Sequence, residues 1–235
     1  MLVLTLILAV VFWNLFYSAP TCTDGTKNGD EKGMDCGGSC KNLCTSDALT
    51  PVVIWAKPFN ISGDVYSAVA YVENPNVNSK NSRAQYEFRL FDVNNKLITV
   101  VKGETSIPKG KKFAIFENGI LLKNRKPTSA DFKFVSFSNW EKDLEKEEGV
   151  SLEYGSVQSA SSTPSITGVI SNKSLNDIRS IELVVFAFDN NENVIGASRT
   201  FVDNLYKDTS QDFVFTWQKP FEKKVDVINV MYRKL

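Results

Sequence analysis

The stretch YEFRLFDVNNKLI, Tyr86–Ile98, returns about 100 residues later in the chain as IELVVFAFDNNENVI, Ile181–Ile195. In each copy a run of β-forming residues ends in Phe-Asp, passes through an Asn-rich turn and enters a second apolar run. The matching positions are Phe91-Asp92 with Phe188-Asp189, Asn94 with Asn191, and Ile98 with Ile195. The repetition predicts a single β unit that the chain uses twice.

Turn signals on both sides of this stretch divide the chain into short predicted strands. In the first copy, the apolar residues Tyr86, Phe88 and Leu90 alternate with the charged residues Glu87 and Arg89. This period is typical of an antiparallel sheet with one face in water, and many short strands in each copy favour a β-sandwich. We therefore expect a mainly β chain, with a first sandwich at residues 50–138, a charged linker at 139–149 and a second sandwich at 150–235.

The composition excludes several classes of function. The 235 residues carry 27 basic and 27 acidic side chains and no histidine. Without a basic excess there is no reason to expect a nucleic-acid partner. Without histidine there is no Ser-His-Asp or Cys-His nucleophile and no histidine-ligated zinc. Since no Gly-rich phosphate loop follows a predicted strand either, we expect a protein that is not an enzyme.

The first 17 residues, MLVLTLILAVVFWNLFY, contain no charged side chain. As a helix they would extend about 25 Å, near the lower limit for crossing the hydrocarbon core of a membrane. Trp13 and Tyr17 stand near the end of the run, where amphipathic aromatic side chains favour the membrane interface. We expect residues 1–19 to form an uncleaved, single-pass anchor in the cell membrane, with the chain from about residue 20 onward outside the cytoplasm. The alternatives are a cleaved signal peptide and a buried core helix.

All four cysteines, Cys22, Cys36, Cys40 and Cys44, fall in the next segment, residues 20–46. An even number of cysteines just after a predicted anchor indicates two disulfides in an oxidising compartment, with three possible pairings. The segment has almost no apolar side chains, so cross-links must supply its order. The alternative is a zinc site made of four thiolates, although the spacing lacks the paired Cys-x2-Cys of zinc ribbons.

The same segment is rich in oxygen-bearing side chains, the ligands that calcium prefers. The candidate calcium ligands are Asp24, Asn28, Asp30, Glu31 and Asp35. Their spacing does not match an EF-hand loop, and Asp, Asn and Gly also serve turns without any ion. Calcium is therefore possible, and we expect no other cofactor.

This segment also resembles a motif of bacterial surface proteins. The run CTDGTKNGDEKGMDCGGSC, residues 22–40, resembles a Cys-rich motif of the form CxDGxxNxxExGxDCGGxC. That motif recurs just after the membrane anchor in many bacterial surface proteins of unknown function, notably from candidate-phyla lineages. The resemblance implies a cell-surface setting rather than an activity.

The segment Phe88–Asp92, FRLFD, resembles the FxLYD-type domains of bacteria, with Phe in place of the motif's Tyr. The second copy, Val185–Asp189, departs from the motif at its first and third positions. The resemblance implies tandem extracytoplasmic immunoglobulin-like sandwiches and offers no catalytic residues to transfer. It also implies that Phe88 and Leu90 belong to the core and that Asp92 caps a turn by accepting backbone N–H groups.

Exposed aromatic side chains would offer a stacking platform for sugar rings. The candidates are Trp55, Trp140 and Trp217, although a tryptophan in a small sandwich usually belongs to the core. Asn60 and Asn172 each begin an Asn-x-Ser sequence that fits the glycosylation sequon.

These features together predict a non-catalytic, membrane-anchored protein that acts as a structural or interaction module at the cell surface. Its partners would be the membrane, through the N-terminal helix, and a protein or another component of the cell envelope. The alternative is a calcium-dependent or carbohydrate-binding surface module. An enzyme would need a cleft with convergent polar groups, most plausibly between the two sandwiches.

Overall fold

A computed structural model of the protein describes residues 21–144, 149–159 and 161–235. Strands make up most of these residues, which confirms the prediction of a mainly β chain. Across the same ranges, no helix is long and apolar enough to cross a membrane, and helical structure is confined to one 3-10 turn at Thr45–Asp47. The predicted anchor, residues 1–19, lies outside the described residues, as do residues 145–148 of the predicted linker.

Fourteen strands form within the described residues. In chain order they are β1 (Asn42–Leu43), β2 (Val52–Ser62), β3 (Val65–Glu73), β4 (Ser79–Phe91), β5 (Leu97–Ile107), β6 (Lys112–Leu121), β7 (Ser129–Phe137), β8 (Trp140–Lys142), β9 (Val150–Tyr154), β10 (Ser165–Asn172), β11 (Ile178–Phe188), β12 (Val194–Leu205), β13 (Thr209–Thr216) and β14 (Val227–Lys234). Their pairings are antiparallel, so short turns are enough to connect neighbouring strands.

The strands β1 to β8 build two sheets that enclose a first core. Sheet 1 has the order β2-β3-β6, and sheet 2 has the order β1-β8-β4-β5, with β7 also paired to β4. The largest fully buried side chains between them are Phe88, Leu90, Ile107, Phe113 and Ile115. On the opposite face of β4, Glu87 forms ion pairs with Arg89 and Lys133, each at 3.1 Å. The alternation of the sequence therefore separates a core face from a charged outer face.

The strands β9 to β14 build a second pair of sheets. Sheet 3 has the order β13-β10-β9, and sheet 4 has the order β12-β11-β14. Their shared core has as its largest fully buried side chains Ile166, Ile170, Ile181, Leu183, Leu205 and Phe215. Alternate residues of β11, such as Leu183 and Val185, face this core, as expected for a strand whose side chains change face at every residue.

A third apolar cluster joins the two sheet pairs, because the outer face of sheet 1 packs against the outer face of sheet 4. Its buried members are Val69, Ala114, Phe116, Val184, Phe186 and Val194. We refer to this cluster as the junction core. Strand β11 is consequently buried on both faces, which explains why IELVVFAF is almost continuously apolar whereas YEFRLF alternates. The four sheets lie in the order 2, 1, 4, 3.

The hairpin that joins β4 to β5 is held by one carboxylate. Asp92 Oδ1 accepts hydrogen bonds from the backbone N–H groups of Asn94 and Lys96, both at 2.9 Å. Asn95 has a φ of 58°, in the left-handed region that Asn tolerates better than most residues. The turn thus depends on short side chains that bond their own backbone.

The hairpin that joins β11 to β12 has the same arrangement. Asp189 Oδ1 accepts hydrogen bonds from the backbone N–H groups of Asn191 at 3.0 Å and Asn193 at 2.8 Å. Glu192 takes the left-handed position, with a φ of 61°. This hairpin also has an ion pair, because Lys223 Nζ lies 2.9 Å from Asp189 Oδ2. The Lys223 bond lowers the pKa of the Asp189 carboxyl far below its usual range, and further hydrogen bonds from Asn193 act in the same direction.

The prediction that residues 139–149 form a solvated linker is wrong in its first part, because Trp140–Lys142 is strand β8. Trp140 is 3% exposed and belongs to the first core, while β8 pairs with both β4 and β1. The residue after β8 is also engaged, since Asp143 lies 2.8 Å from Lys109 Nζ and 3.0 Å from Lys80 Nζ. Burial opposes ionisation of Asp143, but these two bonds outweigh it and hold the pKa at about 2.

Candidate functional site

The four cysteines form two disulfides, Cys22–Cys40 and Cys36–Cys44. This confirms the predicted cross-links and selects one of the three possible pairings. Because each cysteine sulfur is bonded to another cysteine sulfur, no thiolate is left to bind zinc, and the zinc alternative is wrong. Closing a loop of about 15 residues stabilises a chain by roughly 3 kcal/mol, which suits a segment that has so few apolar side chains.

The disulfide segment is docked on sheet 2. Strand β1 continues that sheet beside β8, and Leu43 packs against the first core. Lys41 Nζ lies 2.7 Å from the carboxylate of Glu141. Beyond the segment, the Asn76 side chain donates to the carbonyl of Leu49 at 2.7 Å and accepts its N–H at 2.8 Å. Hydrogen bonds therefore fix the segment against the first sheet pair.

The candidate calcium ligands mostly serve the turns of their own segment. Asp35 accepts the backbone N–H of Gly25, with its two oxygens at 3.0 and 3.2 Å from the nitrogen. Glu31 accepts the backbone N–H of Asn28 at 3.1 Å. Hydrogen bonds from the side chains of Thr26 and Asn28 lower the pKa of the Asp24 carboxyl far below its usual range. These carboxylates are already satisfied by donors of the protein.

The carboxylates among the candidate calcium ligands also do not converge on one point where an ion could bind. Asp30 accepts the Ser39 hydroxyl at 2.8 Å, and this bond lowers the pKa of Asp30. Among the described residues, one group of three Cys, Asp or Glu ligand atoms lies within 4.8 Å, Glu31 with Cys22 and Cys40. Both of those sulfurs belong to a single disulfide. Asn28 Oδ1 is nevertheless buried without a hydrogen-bond partner in this part of the chain.

The two glycosylation sequons differ in exposure. Asn172 is fully buried: its Nδ2 donates to the carbonyls of Asn176 at 2.9 Å and Leu205 at 3.0 Å, and its Oδ1 accepts the Ser174 N–H at 3.0 Å. A glycan on this amide would break a satisfied buried network. Asn60 is exposed, although its Nδ2 donates to the carbonyl of Gly63 at 2.8 Å.

The three candidate tryptophans have different surroundings. Trp140 lies in the first core and offers no stacking face. Trp55 packs against the junction core, with its ring centroid 4.8 Å from Phe186 and 5.7 Å from Tyr71. Trp217 is partly exposed and lines a cleft between the two sheet pairs. Of the three candidates, Trp217 is therefore the one that could stack against a sugar ring.

This cleft, of about 650 Å³, opens beside the junction core. Its walls come from β2, β3, β6, β12 and the segment Trp217–Lys223 that follows β13. Phe116 and Val194, which are buried members of the junction core, contribute to its lining. The volume falls within the range of about 300–1,000 Å³ that is typical of small-molecule sites.

Cationic side chains outnumber acidic ones along the cleft. The described lining residues include the cations Lys57, Arg199, Lys219 and Lys223 and one acid, Glu222. Two of these cations are paired with acids outside the lining, Arg199 with Glu182 at 3.3 Å and Lys223 with Asp189 at 2.9 Å. Lys57 forms no ion pair within the described residues, and Lys219 Nζ donates to the neutral side-chain oxygen of Asn60. The cleft thus keeps a small positive excess.

An aromatic pair forms one wall of the cleft. The rings of Trp217 and Phe221 meet edge to face, with centroids 5.0 Å apart. A Cβ added to Gly196 would lie 2.4 Å from Phe221 and 3.1 Å from Trp217 Nε1, so glycine is needed beneath the pair. The Trp217 Nε1–H is buried and has no acceptor among the described residues. A buried donor without a partner is uncommon in folded proteins.

A buried ion pair lies at the edge of the junction. Glu182, which is 2% exposed, accepts a hydrogen bond from Arg233 Nε. Arg233 Nη1 also donates to Thr105 Oγ1 and to the carbonyl of Ser106, each at 3.0 Å. Because a buried charge is costly unless its partners are in place, these bonds fix β14 of the second sheet pair to β5 of the first.

The sequence placed a possible cleft between the two sandwiches only for the case of an enzyme, and it did not identify the residues that line this cleft. Its members come from five separate parts of the chain, and no local spacing connects Lys57 with Trp217 or Gly196. The one available signal was Trp217 itself, as a tryptophan near the end of a predicted strand. Phe88, Leu90, Phe91, Asp92, Phe188 and Asp189, the residues that carry the family resemblance, lie in the cores and hairpins instead.

No protein-family model and no curated protein sequence matches the chain. Among solved structures, it is similar to the crystal structure of red sea bream transglutaminase, with a TM-score of 0.23 and 10% sequence identity over 80% of this chain. The chain spans 31% of the length of that transglutaminase chain. A likeness at this level carries no argument about function.

Proposed function

We propose that the chain is a non-catalytic protein of the extracytoplasmic cell surface, anchored in the membrane by residues 1–19. It acts there as a structural or interaction module toward a protein or cell-envelope partner. Two disulfides support this compartment, because disulfides form and persist in oxidising environments. The uncharged apolar run Met1–Tyr17 supports the anchor.

The observation that carries the proposal is the junction core. Units joined only by an exposed linker move relative to each other, whereas here Val69, Phe116 and Phe186 are buried between the two sheet pairs. On this proposal the two sheet pairs move as one body, which begins soon after the proposed anchor. A stiff body suits the presentation of a fixed surface to a partner.

Within this proposal, the two sheet pairs are tandem immunoglobulin-like sandwiches of the FxLYD type, at residues 50–138 and 150–235. Matching hydrogen bonds support the duplication. The carbonyl of Phe91 accepts the Thr128 N–H and the carbonyl of Phe188 accepts the Asp226 N–H, both at 2.8 Å. The equivalent hairpin turns at residues 92–96 and 189–193 support it further.

The residues of the cleft favour binding over catalysis. The chain has no histidine, and its cysteines are paired in disulfides. The described lining residues include one carboxylate, Glu222, which is exposed. An exposed carboxylate lacks the apolar surroundings that raise the pKa of a general acid. The described lining residues therefore include donors that can hold a ligand, but no nucleophile paired with a base.

Protease treatment of intact cells that produce the full chain tests this proposal. We expect an antibody against the C-terminal sheet pair to lose its signal on intact cells, while a cytoplasmic marker protein survives. Non-reducing mass spectrometry of the untreated protein should find both disulfides. Protection of the chain in intact cells, together with four free thiols, would contradict the proposal.

A calcium-dependent or carbohydrate-binding module is the second candidate function, favoured by the cleft and by the unpartnered Asn28 Oδ1. We expect EDTA to leave the melting temperature of the purified chain unchanged, because Asp24, Glu31 and Asp35 already accept hydrogen bonds. The measurement is a thermal scan with calcium and with EDTA. A fall in melting temperature that calcium alone restores would favour the calcium-dependent module.

A further inference from the structure

We propose that the cleft beside the junction core binds an acidic saccharide, a sugar chain that carries carboxylates. This inference rests on the proposed function as a surface module and names the chemical class of its ligand. Three features of the cleft carry it: the excess of positive charge, the aromatic wall and the fixed position of the segment Trp217–Lys223.

The cations that line the cleft outnumber its carboxylates. Two of the four cations among its described lining residues, Arg199 and Lys223, are paired with acids outside the lining. The Lys57 ammonium group has no ion-pair partner in the described structure. The Lys219 ammonium group donates one of its three hydrogens to the side-chain oxygen of Asn60. Against these stands the single carboxylate of Glu222. A ligand that completes this set must bring acceptors and negative charge.

The aromatic side chains of the cleft restrict the ligand further. Trp217 and Phe221 form one wall, and Phe59 lines the cleft from β2. A simple anion such as sulfate would leave this apolar surface uncovered. A sugar ring offers C–H groups that pack on aromatic faces, while its hydroxyls and carboxylate accept hydrogen bonds. An acidic saccharide therefore uses both kinds of surface.

The wall is held in place before any ligand arrives. The backbone N–H of Trp217 donates to the carbonyl of Pro164 at 2.9 Å, and the backbone N–H of Asp226 donates to the carbonyl of Phe188 at 2.8 Å. Between these points, Lys223 is held by Asp189 at 2.9 Å. A segment fixed at several points loses little conformational entropy on binding, which favours affinity.

Isothermal titration calorimetry of the purified chain tests the proposal, with trigalacturonate as the probe and neutral galactotriose as the matched control. We expect trigalacturonate to bind, and to bind more weakly as salt is added, because the attraction is partly electrostatic. Galactotriose should bind at least about tenfold more weakly, since a hydrogen bond to a charged group is about twice as strong as a neutral one.

Two variants locate the site. Trp217→Phe reduces the aromatic surface of the wall by replacing the indole with a smaller ring, and Lys57→Ala removes a partly exposed cation. Each should weaken trigalacturonate binding several-fold or more, whereas Lys102→Ala, an exposed lysine on β5, should bind like wild type. Thermal scans confirm that each variant is folded, and Lys57→Ala decides the matter if Trp217→Phe unfolds.

Several results would overturn the proposal. These are the absence of heat with either sugar at millimolar concentration, equal binding of the two sugars, or wild-type binding by Lys57→Ala. Tighter binding of triglutamate than of trigalacturonate would overturn it in favour of an acidic peptide. None of these results affects the cell-surface protease experiment, so failure of the ligand assignment is distinguishable from failure of the proposed function.

Discussion

Single residues of the repeated stretch separate into core and turn positions. Phe88 is fully buried between sheets 1 and 2, and its ring lies 4.8 Å from that of Phe132 and 5.8 Å from that of Tyr86. Val93, five residues further on, is 80% exposed at the hairpin turn. The buried side chains of the stretch are therefore expected to contribute more to the free energy of unfolding than the exposed side chains of its turn.

Replacing Phe88 by alanine is expected to lower the free energy of unfolding by about 3–5 kcal/mol, the range for large aromatic side chains in packed cores. Val93→Ala is the matched control, and it should change the free energy of unfolding by less than about 0.5 kcal/mol. Urea unfolding of both variants measures the difference. A loss below about 1 kcal/mol for Phe88→Ala would mean that the first core is loosely packed.

Residue-level sequence reasoning works where the partner is close along the chain. The bonds that Asp92 accepts come from residues two and four positions later, so turn chemistry alone predicts them. Asn74 has the same kind of local bond to the Asn76 N–H, but its amide also donates to the carbonyl of Pro108, 34 residues away. Asn172 likewise reaches Leu205, 33 residues away. These distant bonds require the fold and could not be read from composition.

At the scale of elements, the length of a strand and the residues next to it decide whether the strand can be predicted from the sequence. Strand β4 alternates over 13 residues, a pattern long enough to be read directly. Strand β8 has only three residues, and charged residues follow it. It exists because β4 and β1 supply hydrogen bonds on both sides and because Trp140 fills the first core. Tertiary contacts outweigh local pattern for such short strands.

The disulfide Cys36–Cys44 is expected to hold β1 against β8. In the double variant Cys36→Ser/Cys44→Ser, backbone amides at residues 37–43 should exchange hydrogen faster, because β1 has only two residues and lies at the edge of sheet 2. Amides of β10 and β11 should exchange as in wild type. Hydrogen exchange followed by mass spectrometry measures both, and unchanged protection at residues 37–43 would show that docking alone orders the segment.

At the scale of the whole molecule, the arrangement of the two sheet pairs depends on which sheet faces pack against each other. When Phe91-Asp92 is aligned with Phe188-Asp189, Glu87 and Arg89 of β4 fall opposite Val184 and Phe186 of β11. The first pair lies on a charged outer face, whereas the second pair is buried in the junction core. The continuous apolar run of β11 signals burial on both faces, but it does not say which sheet covers the second face. That information lies in the apolar residues on the outer face of sheet 1, such as Val69 and Phe116.

The junction also contains a lysine whose charge state responds to pH. Burial lowers the pKa of Lys111 to about 8, and the nearby Lys234 and Lys109 act in the same direction. The Lys111 ammonium lies 4.7 Å from the ring centroid of Tyr232 on β14. Because the folded state prefers the neutral amine, the unfolded chain binds more protons between about pH 8 and pH 10.5.

Stability of the chain is therefore expected to rise with pH from about 8 to about 10, where unfolded tyrosines begin to ionise. In Lys111→Met this rise should be reduced, while the exposed neighbour variant Lys112→Met should retain it. The measurement is the free energy of urea unfolding across this pH range. An equal rise in wild type and Lys111→Met would show that the Lys111 charge is not disfavoured at the junction.

The central claim is that the junction core makes the two sheet pairs one body, and calorimetry of Phe186→Arg tests it most directly. Phe186 is fully buried and its ring packs 4.8 Å from Trp55 and 5.2 Å from Tyr71. An arginine, the residue at the equivalent position of β4, would place an unpaired charge there. We predict one cooperative transition for wild type and two separate transitions for Phe186→Arg. Two transitions in wild type, or an unchanged single transition in the variant, would contradict the account.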